Sequence, residues 1–300
     1  MKKVFLVSLL FFAVLVVNGQ GCSDAGACSV GSTGFLKPES TEDAKLNVSF
    51  EQTFGLGEKF VLIGQATASI QYQLFKSTQL QLRAPFIFTV GNLGSTAGVG
   101  DIIFSVTQTL FAGQKQGVSF LAGTRLKSNN ADFTFNGNPL PMAYQTSLGT
   151  DDILSGIFYY YKKWDFYIAY QHPFNRNKNL YLNPDGETNR QKLYYESARL
   201  KRGDDLYLRF QRHFSTKYKS TIKTTLLGIY RLQKDQIIKN DENLYLTGSK
   251  GITINLGITY IQKIKTSKTI EYALSFPVID RKYRADGLTR NLVISVKVGL

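Results

Sequence analysis

Residues 292–300 read Leu292-Val293-Ile294-Ser295-Val296-Lys297-Val298-Gly299-Leu300. Leu292, Ile294, Val296, Val298 and Leu300 are apolar, with Val293, Ser295, Lys297 and Gly299 between them. Side chains of an extended chain alternate between two faces, so this stretch reads as a strand with one greasy face and one polar face. The final residue, Leu300, falls on the greasy face.

The pattern recurs over segments of about ten residues along most of the chain. It predicts strands at 44–54, 60–75, 78–89, 101–112, 117–128, 151–162, 164–173, 205–214, 219–232, 250–262, 268–279 and 290–300. Short connections fall at Lys76-Ser77, Gly113–Gln116, Lys162-Lys163, Ser215–Tyr218 and Lys263–Ser267, and long ones at 90–100, 129–150, 174–204, 233–249 and 280–289. Gly55–Lys59 is the one short connection on the long side. Lys192–Leu200 could pass as a further strand. It would make the count odd, so it is left in the loop 174–204 as a short helix or a strand extension. Short turns at one end, long loops at the other and an even count describe an all-β, up-and-down antiparallel transmembrane β-barrel of about twelve strands in an outer membrane.

The charges test this independently. In 78–89 the apolar parity is Leu80, Leu82, Ala84, Phe86 and Phe88, leaving Gln79, Gln81 and Arg83 inside. In 250–262 it is Ile252, Ile254, Leu256, Ile258 and Tyr260, leaving Thr253, Asn255 and Thr259 inside. The same rule turns Glu51, Asp101, Arg125, Lys127, Asp165, Arg209, Lys223, Arg231, Glu271 and Lys297 toward the lumen. Together with Arg83 these are the candidate lumen-lining residues, and with Asp205 they leave a small basic excess. Arg212 alone falls on the lipid side, near a strand end where it reaches headgroups. A charge on the lipid face at the bilayer midplane costs roughly 2–4 kcal/mol, so a barrel demands this segregation. A soluble β-sandwich would segregate charges too. The number of strands, with no helix to cover the sheet, favours the barrel.

The chain opens Met1-Lys2-Lys3, followed by an apolar run from Val4 to Val17 broken by Ser8. That is a secretory signal peptide, too short for a transmembrane helix of about 20 residues. Val17 and Gly19 place cleavage after Gly19, so residues 1–19 are the signal, 20–43 a periplasmic lead-in and 44–300 the barrel. Cys22 and Cys28 are the only cysteines. In an exported chain such a close pair is most simply a disulfide. Lipoprotein processing at Cys22 is the rival, although Gly19-Gln20-Gly21 makes a poor lipobox.

Mean hydropathy is slightly negative, as expected where half of each strand is polar. The 17 Tyr and 21 Phe suit aromatic girdles at the two interfaces. The net charge of +14 is diffuse along the chain, and export removes the protein from nucleic acid.

Several stretches resemble an outer-membrane transporter family named for the meta-pathway of phenol degradation. These are the Cys22–Gly26 opening with Cys28, in the manner of Bacteroidetes members, and Gly98-Val99-Gly100-Asp101-Ile102 entering a strand. They include also Gly123-Thr124-Arg125-Leu126-Lys127, the loop Leu140–Asp152 and the hairpin from Phe276-Pro277-Val278 to Gly287. The resemblance spans most of 44–300 and implies a barrel that passes small, hydrophobic or aromatic, molecules.

The expected function is therefore passive uptake of small solutes through a Gram-negative outer membrane. The alternative is a non-conducting barrel whose basic loop residues Arg190, Lys192, Arg199, Lys201 and Arg202 hold lipopolysaccharide phosphates. A remoter one is a rim lipid hydrolase using His172 or His213 with a loop serine such as Ser147 or Ser197. No nucleophile–base spacing supports an enzyme, and no carboxylate cluster has metal-ligand spacing, so no catalytic residue, metal or cofactor is expected. Expected partners are outer-membrane lipid, lipopolysaccharide, the transported solute, and the barrel-assembly machinery at the C-terminal strand. Loop 129–150 mixes Asn129, Asn130 and Asp132 with Phe133, Phe135, Leu140, Met142 and Tyr144. It is a candidate gate folding into the mouth, or an outer loop packed on its neighbours.

Overall fold

The computed structural model describes residues 45–189, 193–216, 220–264, 268–288 and 290–299. The signal segment, the lead-in with Cys22 and Cys28, and Arg190 and Lys192 lie outside the described residues.

In chain order the strands are β1 (Leu46–Leu56), β2 (Leu62–Phe75), β3 (Thr78–Gly91), β4 (Gly94–Val99), β5 (Ile102–Ala112), β6 (Gln116–Leu126), β7 (Thr134–Phe135), β8 (Asn138–Pro139) and β9 (Asp152–Tyr161). They continue with β10 (Trp164–Pro173), β11 (Asp205–Ser215), β12 (Ser220–Arg231), β13 (Gln236–Lys239), β14 (Glu242–Tyr245), β15 (Gly251–Lys263), β16 (Thr269–Ile279) and β17 (Leu292–Gly299). Twelve of them, β1, β2, β3, β5, β6, β9, β10, β11, β12, β15, β16 and β17, pair antiparallel in a closed ring, sealed by β17 on β1 from Ser49↔Gly299 to Leu56↔Leu292. β7–β8 and β13–β14 are small hairpins in the outer connections.

The alternation seen in the sequence sets the two faces of the wall. Phe50, Phe54, Leu82, Phe86, Phe104, Ile157, Leu208, Leu256, Ile258 and Ile294 are exposed on the outside, while their neighbours in sequence, among them Thr53, Gln81, Arg83, Ser105, Arg209, Asn255 and Ser295, are buried. An apolar exterior is unfavourable in water and favourable in hydrocarbon, and closure leaves no strand edge unpaired. The two-residue turns and both ends of the described chain lie at one end of the ring, the end that outer-membrane barrels turn toward the periplasm.

Two expectations are corrected. The connection 90–100 is a hairpin turning at Asn92-Leu93. β4 pairs with the outer half of β3, from Phe86↔Val99 to Gly91↔Gly94, and β5 pairs with its inner half, from Thr78↔Gln108 to Arg83↔Ile103. β4 is thus the outer continuation of β5, broken at Gly100-Asp101 beside Pro85, whose carbonyl accepts the Gly100 N–H at 2.8 Å. The glycines at 91, 94, 98 and 100 weaken the strand signal without abolishing the pairing.

In the stretch Lys192–Leu200, residues 193–200 form neither helix nor strand extension. They run back along the other leg of the same connection, with Ser197 N–H on the Tyr181 carbonyl at 3.0 Å and Arg199 N–H on the Asn179 carbonyl. Tyr194, Ser197, Ala198 and Leu200 are buried. The apolar content that made this stretch resemble a strand is used inside the barrel mouth.

Candidate functional site in the barrel lumen

The outer half of the lumen is filled by its own connections. Every residue from Leu140 to Thr150 is buried, so the candidate gate folds inward. A 3₁₀ turn at Met142–Tyr144 contributes to two apolar clusters. One joins Val61, Ile63, Ile87, Leu140, Ala143, Tyr144, Tyr181 and Tyr194. The other joins Ala131, Met142, Leu148, Leu200, Ile237, Leu246, Ala285 and Leu288. Five outer connections contribute, and none could bury these side chains on its own.

Polar contacts fix the depth of the plug. The Tyr144 hydroxyl accepts the Leu93 N–H at 3.1 Å and meets Asn92 Oδ1 and the Tyr194 hydroxyl, each at 3.1 Å. Asp101 accepts the Ser128 N–H at 3.2 Å and the Leu148 N–H at 3.0 Å, which ties the strand break to the roof. Gly287 has φ +66°, and a Cβ there would lie 2.3 Å from the Met142 carbonyl carbon. Only glycine permits the two inward connections to approach this closely.

A buried ionic layer, built half from wall and half from loop, joins the plug to the outer ends of the strands. Asp152 at the start of β9 receives Arg125 of β6 and, at 2.5 Å, Arg202 from the connection. Gln171 also donates to Asp152, and Tyr207 donates to Gln171 at 2.9 Å. Arg231 at the end of β12 grips Asp205 of β11 at 2.6 and 2.9 Å, Asp286 at 2.9 Å, and Asp235. Arg281 reaches Asp286 at 3.0 Å.

Burial alone would push the Asp286 carboxyl up, but Arg281 and Arg231 outweigh it and hold the group well below the usual range. At Asp235 burial wins over the same two arginines and its carboxyl is raised. At the rim, burial pushes Glu58 up to about 7 against the Tyr195 N–H, which it accepts at 3.0 Å, and against Arg284 and Lys59.

Further down, the two sides of the lumen differ. Ile103, Leu121, Leu154, Phe158, Tyr167, Ala169, Tyr207, Leu227 and Ile229 form an apolar filling on β5, β6 and β9–β12. The opposite wall, β15 to β17 with β1 and β2, presents Gly257, Thr259, Ser275, Ala273, Ser295, Thr53, Thr67 and Ser69 inward. Small and polar side chains there face the aliphatic and aromatic filling of the other side. Where the plug meets β2, β3, β5 and β6 is a small cavity of about 50 Å³, lined by Gln65, Thr67, Arg83, Ile103 and Arg125 of the wall and by Gln145 and Ser147 of the plug.

The sequence-derived lumen residues divide accordingly. Arg125, Asp101 and Arg231 belong to the plug's anchorage, with Asp205. Arg83 is buried in the wall, 3.2 Å from Glu51. Glu51, Lys297 and Glu271 stand directly opposite one another on β1, β17 and β16. Asp165 pairs with His213 Nε2 at 2.6 Å. The Arg209 guanidinium lies 4.9 Å over the Tyr167 ring, and Lys223 is buried opposite Thr259. Lys127 is corrected to a rim position, because β6 ends at Leu126 and the side chain is exposed.

Arg202 is likewise not a free surface cation for lipopolysaccharide. It is 3% exposed and bound to Asp152, whereas Arg199 and Lys201 are exposed. His172 is held by Asp204 at 2.7 Å. Ser197 donates to Asn179 Oδ1 at 2.8 Å and Ser147 to the Asn129 carbonyl at 3.0 Å.

Asp152 lies on the inward parity of β9 with Leu154 and could have been read from the pattern. Arg202, Asp235, Arg281 and Asp286 sit in connections with no periodicity, so nothing local marks them.

No family model and no curated relative matches the sequence. Solved structures share the fold. An outer-membrane channel from Pseudomonas putida F1 is 12% identical with a TM-score of 0.57, over 85% of this chain and 93% of that one. The KdgM porin is 6% identical with a TM-score of 0.46, over 84% and 97%. A Pseudomonas aeruginosa FadL homologue is 9% identical with a TM-score of 0.43, over 95% and 98%. At 12% identity, what the chain shares with the Pseudomonas putida channel is the fold. A closed barrel with an apolar outer girdle is the membrane-spanning form of the outer membrane, and that is where the protein resides.

Proposed function

We propose that the protein is a passive outer-membrane channel for small solutes, held in a state closed at its outer mouth. The observation that carries this reading is the unequal lumen, filled on the β5–β12 side and lined by small polar residues on the β15–β2 side. A barrel that served only as a scaffold would gain by filling both. The family resemblance implies hydrophobic or aromatic solutes. The lining supports a narrower reading, small polar or anionic solutes, because Arg83, Lys223 and Lys297 outnumber Glu51 and Glu271 on and beside the small-residue side. Positive charge beside a low-dielectric wall concentrates anions.

The buried ionic layer favours one competing reading, a barrel sealed for good. Conductance of the purified protein in planar bilayers separates the two. Small discrete openings that enlarge when Asn130–Ala143 is deleted support the channel. No conductance in either protein, with both correctly folded, rejects it.

A further inference from the structure

From residue 45 onward every Asp and Glu stands either on the inward wall or in an outer connection. The short turns at the periplasmic end contain none. They are basic instead. Lys45 precedes β1, Lys76 turns β2 into β3, Lys115 turns β5 into β6, Lys162 and Lys163 turn β9 into β10, and Lys263 and Lys268 flank the turn from β15 to β16. All are exposed, as is Arg212 on the lipid face of β11. None of them forms an ion pair among the described residues. The outer connections, by contrast, mix both signs.

We propose that this collar binds the anionic headgroups of the phospholipid leaflet that surrounds the periplasmic end. Its shape points to lipid. The cations are spread around the ring, as an annulus requires, whereas a docked protein would need a one-sided patch. Their height is fixed by backbone contacts to the neighbouring turn or strand end. The Lys162 N–H meets the Lys115 carbonyl at 2.6 Å, the His213 N–H meets that of Lys163 at 2.9 Å, and the Gln73 N–H meets that of Lys45 at 2.8 Å.

Just inside the collar, exposed Phe75, Phe111, Tyr161, Trp164 and Phe214 mark the interface. Two of the cations lean over these rings. Arg212 is 4.9 Å from the Trp164 centroid and 5.0 Å from that of Phe214, and Lys162 is 5.0 Å from that of Tyr161. A guanidinium or ammonium held at headgroup depth, with no carboxylate to neutralise it, takes a phosphate. The inference does not depend on conductance, since a sealed barrel would carry the same collar.

The test uses the full-length protein in detergent, titrated with phosphatidylglycerol or with phosphatidylcholine of the same chains, and reads bound lipid by native mass spectrometry. Wild type should retain phosphatidylglycerol roughly tenfold more strongly, and high salt should weaken that preference. The variant Lys76→Gln/Lys115→Gln/Lys162→Gln/Lys163→Gln should lose it, and arginine at the same four positions should restore it. The outer variant Lys178→Gln/Lys201→Gln/Lys234→Gln/Lys250→Gln should keep it. Heat-modifiable migration on gels checks that each variant is folded. Equal retention of the two lipids by wild type overturns the proposal, as does equal loss in the outer variant. If wild type lacks the preference but cosediments with purified peptidoglycan through the same lysines, the collar serves a wall polymer and the lipid assignment fails.

Discussion

Arg231 of β12 and Asp286 of the last outer connection stand 2.9 Å apart, with side chains 1% and 0% exposed. One belongs to the wall and the other to the plug, so this pair joins two parts of the molecule that must separate if the mouth is to open. Removing one partner of a buried pair leaves an uncompensated charge and typically costs about 3–5 kcal/mol. Asp286→Asn should therefore loosen the plug while the strand ladders keep the barrel intact. Single-channel recording should find longer or larger openings in the variant, with heat-modifiable migration on gels unchanged. A variant that stays as closed as wild type would show that the apolar clusters alone hold the plug.

Glu58 supplies a pH dependence. Its carboxyl titrates near 7 in the closed state against an ordinary value of 4.5, so closure favours the protonated form. The resulting stabilisation is complete below about pH 4.5 and is lost as pH rises toward 7. The plug segment that Glu58 holds through Tyr195 should be more accessible to protease at pH 8 than at pH 5, with cleavage read in the stretch 183–189. Glu58→Gln should flatten that difference.

Strand periodicity gave all twelve ring strands to within a few residues, because the solvent on each side of the wall enforces parity at every position. It was least informative where that constraint relaxes. Asn136-Gly137, with φ of 49° and 78°, turns β7 into β8, and Asn240-Asp241, at 53° and 60°, turns β13 into β14. Both dipeptides suit hairpin turns with positive φ at two successive residues and could have been recognised. The plug's ionic partners could not. Arg202 reads as one more cation in a basic loop, and only the three-dimensional path that brings it beside Asp152 changes its meaning.

Ion selectivity is tested on the polar side of the lumen. Lys223→Glu with Lys297→Glu adds acidic groups on and beside the small-residue wall. Reversal potentials in a salt gradient should move from a mild anion preference toward cations. An unchanged potential would mean that ions pass elsewhere or not at all. Arg125 is unsuitable for this test, since its loss would disturb the plug.

Orientation is tested by chemistry on whole cells. A cysteine at Asn138 or Asn240, both exposed on outer hairpins, should react with an impermeant maleimide. One at Gln114, exposed in a short turn, should react only after the outer membrane is broken. Labelling of Gln114 in intact cells would invert the assigned topology, and with it the leaflet assigned to the lysine collar.

The seam between β1 and β17 imposes an order on folding. Ser49 and Gly299 are neighbours in the ladder yet lie almost the whole described chain apart, so this pairing carries the largest loop-closure entropy in the molecule. Until the last strand arrives, β1 and β16 each present an open edge able to recruit the wrong chain. A nascent chain lacking β17 is thus an aggregation hazard rather than a smaller barrel, because only β17 covers the edges of both β1 and β16.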